Sequence, residues 1–374
     1  MDKNQLHQKF QELYTKKLEP KIIPLEQERK SIAKASNINL LIAVLCLIGS
    51  IGGFLLLSKA YILLFLIPAV IMFVIENKRQ RKFRLKLKQQ LLMELFSLFG
   101  KFMYCPDKEL ITRNEIRKTG LFPKFNHKRD DDRIVGNYKG MDIIIVETEL
   151  THTESGGEGN SDSTITDFNG LIIKTTLNKP YKGKTLLYQK VIGQKGQKQA
   201  IKSLLSDSLG DEQADKIANS DVVNAVTGVL AFAEKLPLKH LKLSENGVSL
   251  SLNNKNKEIR VAGNLQKVTL EDSEFNQMYD IYSDDQVEAR YILTPTFMER
   301  LKNVREVIGG FDVHCLIENK YITLFIETPN DFFEIGNNIT DSINNKRNYE
   351  CIFVQLINIF NLIHYFKLDK KLGL

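Results

Sequence analysis

The chain has 374 residues, 43% hydrophobic and 26% charged, which excludes a largely disordered protein and suits one large domain or two smaller ones. Lysine and arginine exceed aspartate and glutamate by 52 to 45, a formal charge of +7 that suits an anionic lipid surface or a nucleic acid equally. The cysteines Cys46, Cys105, Cys315 and Cys351 form no C-x-x-C pair. A zinc ribbon or a disulfide framework is therefore excluded, and a reducing compartment is favoured.

The first 37 residues have the spacing of an amphipathic helix. Three apolar residues share one side, and two prolines are expected to interrupt the helix. The apolar residues are Leu6, Phe10 and Leu13, and the prolines are Pro20 and Pro24. Residues 1–37 are therefore predicted to form an N-terminal helical segment.

Two long apolar runs lie within residues 38–77. The run 40–57 holds eighteen uncharged residues and the run 60–75 sixteen, separated by Ser58 and Lys59. A hydrocarbon core about 30 Å thick needs roughly 20 helical residues. The pattern predicts a transmembrane hairpin of two antiparallel helices, because the turn is too short to hold a domain. A cleaved signal peptide would begin nearer the N-terminus, and a hairpin buried in a globular domain would carry a polar face, so both alternatives are disfavoured.

Basic residues flank this hairpin on both sides, whereas its turn carries only Lys59. The positive-inside rule therefore predicts that both termini are cytoplasmic. Five basic residues after the hairpin are candidates for contact with the membrane surface, although topology alone would explain such a cluster. They are Lys78, Arg79, Arg81, Lys82 and Arg84. Residues 78–118 are predicted to form a basic amphipathic juxtamembrane helix that docks on the soluble part or lies on the bilayer.

Residues 119–374 have the pattern of a soluble α+β domain with a mainly antiparallel sheet. The predicted elements are strands 141–146 and 167–176, a helical insertion at 196–236, strands 240–252 and 258–261, a hairpin turning at 319–320, and a core-facing C-terminal helix at 351–368. The fold class is therefore α+β: a two-helix transmembrane hairpin followed by a cytoplasmic domain with a mainly antiparallel sheet, a helical insertion and a C-terminal helix.

The segment 283–301 has the most organised local sequence. Ser283 and Gln286 have the spacing of a capping box, which predicts the start of a short helix. Thr294 followed by Pro295 predicts the start of a second helix.

Four charged residues in this segment are the best candidates for a ligand or partner site. They are Asp284, Asp285, Glu288 and Arg290. The competing interpretation is structural: Glu288 and Arg290 pin the two short helices to the sheet through buried ion pairs. The first helix presents Val287, Tyr291 and Ile292 as its apolar residues.

Two stretches of this chain, together with the preceding hairpin, resemble a known family. The stretches are FNGLI at 168–172 and VTLEDSEFNQMYDIYSDDQVEARYILTPTFMERL at 268–301. They are similar to bacterial membrane proteins of the domain-of-unknown-function family 3137; the resemblance covers the hairpin and most of the soluble part, while residues 190–236 fit the pattern poorly. The resemblance implies a multi-pass protein of the bacterial inner membrane, and it implies no activity.

Catalytic and cofactor motifs are absent from the sequence. It has no G-x-x-x-x-G-K-[ST], no H-E-x-x-H and no G-x-S-x-G. The acidic residues and His152 within 147–158 are interpreted as a solvated hairpin, and residues 127–132 as an exposed turn. No metal and no cofactor are expected.

The sequence therefore predicts a membrane-anchored interaction or scaffold module, with the lipid bilayer and either a protein partner or a second copy as its partners. One alternative is a membrane-associated enzyme acting on lipid or envelope precursors. A second alternative is nucleic-acid binding through a G-x-x-G loop at 193–196, although no nucleic acid is expected as a partner.

Overall fold

The computed structural model describes ten stretches of the chain. They are residues 3–56, 60–155, 162–177, 181–190, 241–244, 247–250, 265–308, 312–328, 331–336 and 338–365. The chain divides into two compact units. The helical unit comprises Met1–Pro106 and Phe332–Ile357, and the sheet unit comprises Asp107–Asp331 and Asn358–Leu374. The predicted insertion at 196–236, the strand 258–261 and the loop 193–196 lie outside the described residues.

Long helices dominate the helical unit. In chain order they are α1 (Lys3–Leu13), a π-helical turn (Tyr14–Leu18), α2 (Glu19–Leu56), α3 (Ala60–Leu87), a second π-helical turn (Lys88–Leu92) and α4 (Met93–Phe96). Strand β1 (Lys101–Tyr104) follows. The predicted interruption at Pro20 and Pro24 is wrong, because both prolines lie within the continuous helix α2. In the π-turn directly before α2, the Glu19 N–H donates a hydrogen bond to the carbonyl oxygen of Tyr14, five residues earlier. This wider turn accommodates Pro20.

The core of the helical unit forms between its helix ends and the C-terminal residues 332–357. Phe10 stacks on Phe353 with ring centroids 4.7 Å apart, and Phe96 lies 5.6 Å from Phe333. Leu91 and Leu95 are fully buried, so the expectation that this apolar face docks on protein is confirmed. The prediction of one helix over 78–118 is wrong in its extent, because the helix ends at Phe96 and strand β1 follows.

Polar pairs join α2 to the antiparallel helix that follows it. They are Lys21–Glu94 at 2.5 Å, Glu28–Lys86 at 2.5 Å, Ser36–Gln80 at 3.1 Å and Asn39–Glu76 at 3.0 Å. From Lys21 to Asn39 the residue numbers in α2 rise, while those of their partners fall by a similar amount, from Glu94 to Glu76. The antiparallel pairing expected of the hairpin is therefore confirmed. The predicted turn at Ser58 and Lys59 lies outside the described residues.

A buried ion pair ties α2 to the C-terminal part of the helical unit. Two Arg29 nitrogens donate to the Glu26 carboxylate at 2.8 Å, and a third contacts the Ile339 carbonyl oxygen. Glu26 also accepts from the Ile343 N–H at 3.1 Å and the Ser342 hydroxyl at 3.2 Å. The hydrogen bond from Arg29 is the main cause that holds the pKa of Glu26 below its ordinary value.

Residues 40–56 of the first predicted membrane span lie in α2, and the second span, 60–75, lies in α3. Across the part of the chain that the structure describes, no helix combines the length and the apolar character needed to cross a membrane.

The described apolar side chains of the predicted spans are nevertheless exposed. Exposed fractions include 65% for Leu40, 58% for Leu45, 61% for Ile48 and 67% for Phe73.

An antiparallel sheet forms the centre of the sheet unit. Its strands are β2 (His127–Tyr138), β3 (Met141–Glu154), β4 (Ser163–Thr176), β5 (Lys184–Gln189), β8 (Gln266–Val268), β9 (Tyr279–Ser283), β10 (Val313–Glu318) and β11 (Tyr321–Glu327). They lie in the order β2-β3-β4-β11-β10-β5-β9-β8, and each neighbouring pair is antiparallel. The predicted α+β class with a mainly antiparallel sheet is confirmed.

The remaining strands, β6 (Leu241–Ser244) and β7 (Gly247–Leu250), pair with each other in a separate two-stranded sheet. The sequence predicted one strand over 240–252, which is wrong, because the chain reverses between Ser244 and Gly247.

The helices of the sheet unit are shorter. They are α5 (Arg113–Thr119), α6 (Ser273–Met278), α7 (Gln286–Ile292) and α8 (Pro295–Ile308), followed by α9 (Lys346–Tyr365), which begins in the helical unit. One side of the core joins Ile116 of α5 and Phe122 to Phe168, Leu186 and Phe325 of the sheet. Phe122 lies 5.1 Å from Phe168 between ring centroids.

Two charged stretches are more ordered than predicted. Residues 127–132 belong to β2 rather than to an exposed turn, because their charges have partners: Lys128 and Asp130 are about 3% exposed at the side chain and lie 2.6 Å apart. Asp130 also accepts from the Thr148 hydroxyl at 2.7 Å. His152 was expected in a solvated hairpin, but it is buried in β3 with its Nδ1 2.7 Å from Asp167.

Gly170 allows β4 and β11 to approach closely. Its φ is +155°, and an added Cβ would lie only 2.1 Å from the Ile326 carbonyl oxygen. Gly170→Ala is therefore expected to destabilise the protein by about 3 kcal/mol, since backbone atoms cannot move aside as a flexible side chain can. Thermal unfolding of the full chain in detergent measures the effect. Gly140→Ala is the control, because its φ is also positive, at +87°, but no atom lies within 4 Å of an added Cβ; equal losses would contradict the clash.

Candidate functional site

The candidate segment 283–301 joins β9 to α7 and α8. Asp285 begins α7, because its carboxylate accepts from the N–H groups of Val287 at 2.9 Å and Glu288 at 3.0 Å. The predicted capping box of Ser283 and Gln286 is wrong. Ser283 is instead the buried last residue of β9.

The second helix start is confirmed. The Phe297 N–H donates to the Thr294 hydroxyl at 3.2 Å, and Pro295 is the first residue of α8.

Asp284 and Ser283 hold the segment against β5. The Asp284 Oδ1 accepts from the Lys184 N–H at 2.6 Å, and a Cβ at Gly183 would meet this oxygen at 2.7 Å. A chain of hydroxyl groups runs beside it: Tyr181 to Thr185 at 2.5 Å, then Thr185 to Ser283 at 2.9 Å. Burial is the main cause that raises the pKa of Tyr181. Two of the polar candidates, Asp284 and Asp285, thus have structural partners.

Glu288 and Arg290 do not pin the helices through buried ion pairs. The Arg290 side chain is exposed and donates to the Gln286 carbonyl oxygen at 3.2 Å and to the Thr269 carbonyl oxygen at 3.3 Å. Glu288 is half-buried, and it lies close enough to Tyr181 to affect its titration. That structural prediction is wrong, because Arg290 is exposed and bonds to carbonyl oxygens, and Glu288 has no ion pair among the residues that the structure describes.

The outer face of α7 is apolar. Val287 is 78% exposed and Tyr291 is 60% exposed, and their spacing of four places them side by side. Ala289 and Ile292 occupy the buried face. Of the three apolar residues that the sequence indicates for this helix, the structure puts Val287 and Tyr291 on the solvent side and buries Ile292. The outer face of α7 is defined here as Val287 and Tyr291.

Asp285→Ala is expected to lower the stability of the protein by about 1 kcal/mol, because two N–H groups of α7 lose their acceptor. Asp285→Asn keeps an acceptor oxygen and should lose at most a few tenths of that. Thermal unfolding of the three proteins in the same detergent measures the difference. If Asn and Ala destabilise equally, Asp285 does more than cap the helix.

The five basic candidates after the hairpin separate into two groups. Arg79 turns inward, where it donates to Glu76 at 2.7 Å and to the Ile32 carbonyl oxygen at 3.4 Å. Arg84 lines a small pocket with Arg29, Gln80 and Asn338. Lys78, Arg81, Lys82 and also Arg84 are exposed, whereas Arg79 is half-buried.

This pocket of the helical unit has a cavity volume of about 10 Å³, which is room for roughly one water molecule. Its polar lining includes the Arg29 guanidinium, which is already bound to Glu26 and to Ile339. A lipid precursor does not fit a cavity of this size, so the pocket does not favour the predicted enzymatic alternative.

The fold and these surfaces define an α+β protein with a long helical hairpin and an exposed apolar helix face. The sequence pattern of a family described as "Protein of unknown function (DUF3137)" matches residues 166–368, more than half of the chain. The chain therefore belongs to this family, which confirms the resemblance seen in its sequence.

Other comparisons add little. No curated protein matches the chain. A solved structure, that of the mycobacterial trehalose monomycolate transport factor A (TtfA), is similar over 73% of this chain and 91% of that chain, with 8% sequence identity and a TM-score of 0.30. A similarity this weak carries no argument about the fold or the function.

Proposed function

We propose that this protein is a membrane-anchored interaction module, held in the bilayer by the hairpin of α2 and α3. The observation that supports the proposal is a change of environment along these two helices. Ile22 and Leu25 of α2 and Phe83 and Leu87 of α3 are at most 3% exposed, as expected for residues that pack on protein.

Between these buried ends, the large apolar side chains that the structure describes lie on the surface. Eight in α2 and six in α3 are 40–67% exposed: Ile38, Leu40, Leu41, Ile42, Val44, Leu45, Ile48, Ile51, Ile67, Val70, Ile71, Phe73, Val74 and Ile75. Soluble proteins seldom expose a continuous apolar patch of this extent. Acyl chains would cover it at a gain of about 25 cal/mol per Å² of apolar area.

The position of the charges supports the same arrangement. Basic residues follow the exposed apolar stretch of α3 and precede that of α2, as the positive-inside rule expects when both ends of a hairpin are cytoplasmic. The proposal therefore includes a bacterial inner-membrane location with both termini in the cytoplasm.

The interaction surface that we propose is the outer face of α7. Aromatic residues such as Tyr291 are enriched at protein-binding surfaces, where polar residues usually form the rim. The occupant is another protein or a second copy of this chain.

A photo-reactive amino acid at position 287 of the full chain, in intact membranes, tests this surface. We expect a discrete adduct of defined mass from position 287, no adduct from the exposed turn residue Lys139, and loss of the adduct when Tyr291→Asp is added. Equal labelling from positions 287 and 139, or no adduct from either, would contradict the assignment of the outer face of α7.

A further inference from the structure

One face of α3 changes from apolar to basic within a single helical turn. Residues 67, 71, 74, 75, 78, 81 and 82 follow one another at helical spacing and share this face. The first four are Ile67, Ile71, Val74 and Ile75, which are 44–57% exposed, and the last three are the exposed Lys78, Arg81 and Lys82. With a rise of about 1.5 Å per residue, Lys78 lies roughly 4.5 Å along the helix axis from Ile75.

We propose that this face binds anionic phospholipids, with acyl chains along the apolar residues and the headgroup phosphate at Lys78, Arg81 and Lys82. The inference rests on the membrane anchor proposed above and names the lipid class that the anchor prefers. Lysine and arginine near an anionic bilayer each contribute on the order of 1 kcal/mol to lipid binding, and a phosphate accepts hydrogen bonds from both.

Helix α2 shows the same change from exposed apolar residues to an exposed basic residue, at the same height along the helix pair. Its exposed Ile38, Leu41 and Leu45 lie at helical spacing from the exposed Lys34. The contact between Ser36 and Gln80 sets Lys34 at about the height of Lys82. A belt of cations thus forms at one level of both helices.

Arg79 does not share this face of α3. Its side chain is half-buried and is held by Glu76 at 2.7 Å. The basic residues could serve only to orient the protein in the membrane, or they could bind lipid. The positive-inside rule counts basic residues whichever way they face, whereas lipid binding requires residues on the face that meets the lipid.

Spin-labelled lipids test the proposal on the full chain reconstituted in phosphatidylcholine bilayers. The measured quantity is the association of spin-labelled phosphatidylglycerol with the protein relative to spin-labelled phosphatidylcholine. We expect the wild-type protein to prefer phosphatidylglycerol and Arg81→Gln to reduce the preference about fivefold, the factor that corresponds to about 1 kcal/mol. Arg79→Gln removes the same charge from the same helix two residues away, on the side held by Glu76, and it should leave the preference unchanged. A high salt concentration should weaken the preference in the wild-type protein.

Each outcome decides the proposal. Lack of any preference in the wild-type protein, although it is embedded in the bilayer, would overturn the lipid site and leave the anchor standing. Equal effects of Arg81→Gln and Arg79→Gln would overturn the assignment to one face. A protein that does not enter bilayers of either lipid would overturn the anchor itself, and the lipid site with it.

Discussion

Replacing Leu45 and Ile48 together by lysine is expected to release the protein from bacterial membranes. Both side chains lie in the middle of the first apolar run of α2 and are 58% and 61% exposed, so the substitutions remove no contact of the protein core. Exchanging an apolar residue for lysine at the centre of a membrane helix costs about 3 kcal/mol, or about 6 kcal/mol for the pair. Fractionation of cells into membrane and soluble proteins measures the release.

The matched control is Ile23→Lys. Ile23 lies in the same helix and is 56% exposed, but it precedes the apolar run. This variant should remain in the membrane fraction like the wild-type protein. If the double variant also remains there, or if both variants are released equally, the hairpin is not the anchor.

Arg29→Met is expected to cost about 3–5 kcal/mol of stability. The substitution leaves the buried Glu26 carboxylate without its main partner, and removing one member of a buried ion pair costs far more than the pair contributes as a whole. The contact with the Ile339 carbonyl oxygen is lost as well. The melting temperature of the full chain in detergent, followed by helical circular dichroism, measures the loss.

Lys30→Met is the control for this experiment. Lys30 also faces Glu26, at 4.0 Å, but its side chain is 69% exposed, and such a pair contributes at most about 1 kcal/mol.

Acid should reproduce part of the loss of stability in the wild-type protein. The pKa of Glu26 in the folded protein is lowered from its ordinary value of 4.5. The ionised Glu26 carboxylate therefore contributes its full stabilisation above pH 4.5, and this contribution is lost as the pH falls through the lowered pKa. Equal losses in the Arg29 and Lys30 variants would contradict the buried pair.

Local chemistry made several features predictable from the sequence. The antiparallel hairpin follows from two apolar runs with a short turn, and the start of α8 follows from Thr294 and Pro295. Family membership followed from residues 168–172 and 268–301. These signals depend on residues that are close in sequence, which is where propensity and periodicity are informative.

Features that depend on distant partners were missed. The charged residues 127–132 have the composition of a turn. Burial of Asp130 depends on its ion pairs with Lys128 and Arg133 and on the hydroxyl of Thr148 in the neighbouring strand. Ser283 and Asp285 are both residue types that cap helices. The Ser283 hydroxyl instead contacts Thr185, almost a hundred residues earlier, so Asp285 is the residue that caps α7. Helix α7 spans only seven residues, too few for its periodicity to reveal that Val287 and Tyr291 face solvent. Likewise, Arg79 is the one of the five basic residues that turns inward, and this depends on its contact with Glu76.

Extraction of membranes with alkaline carbonate tests the central claim of a bilayer-anchored hairpin most directly. This treatment strips proteins that are bound to membranes through charges or through other proteins. The full chain is predicted to stay in the membrane pellet and to be released only by detergent. Recovery of the protein in the carbonate supernatant, monomeric and without detergent, would contradict the anchor.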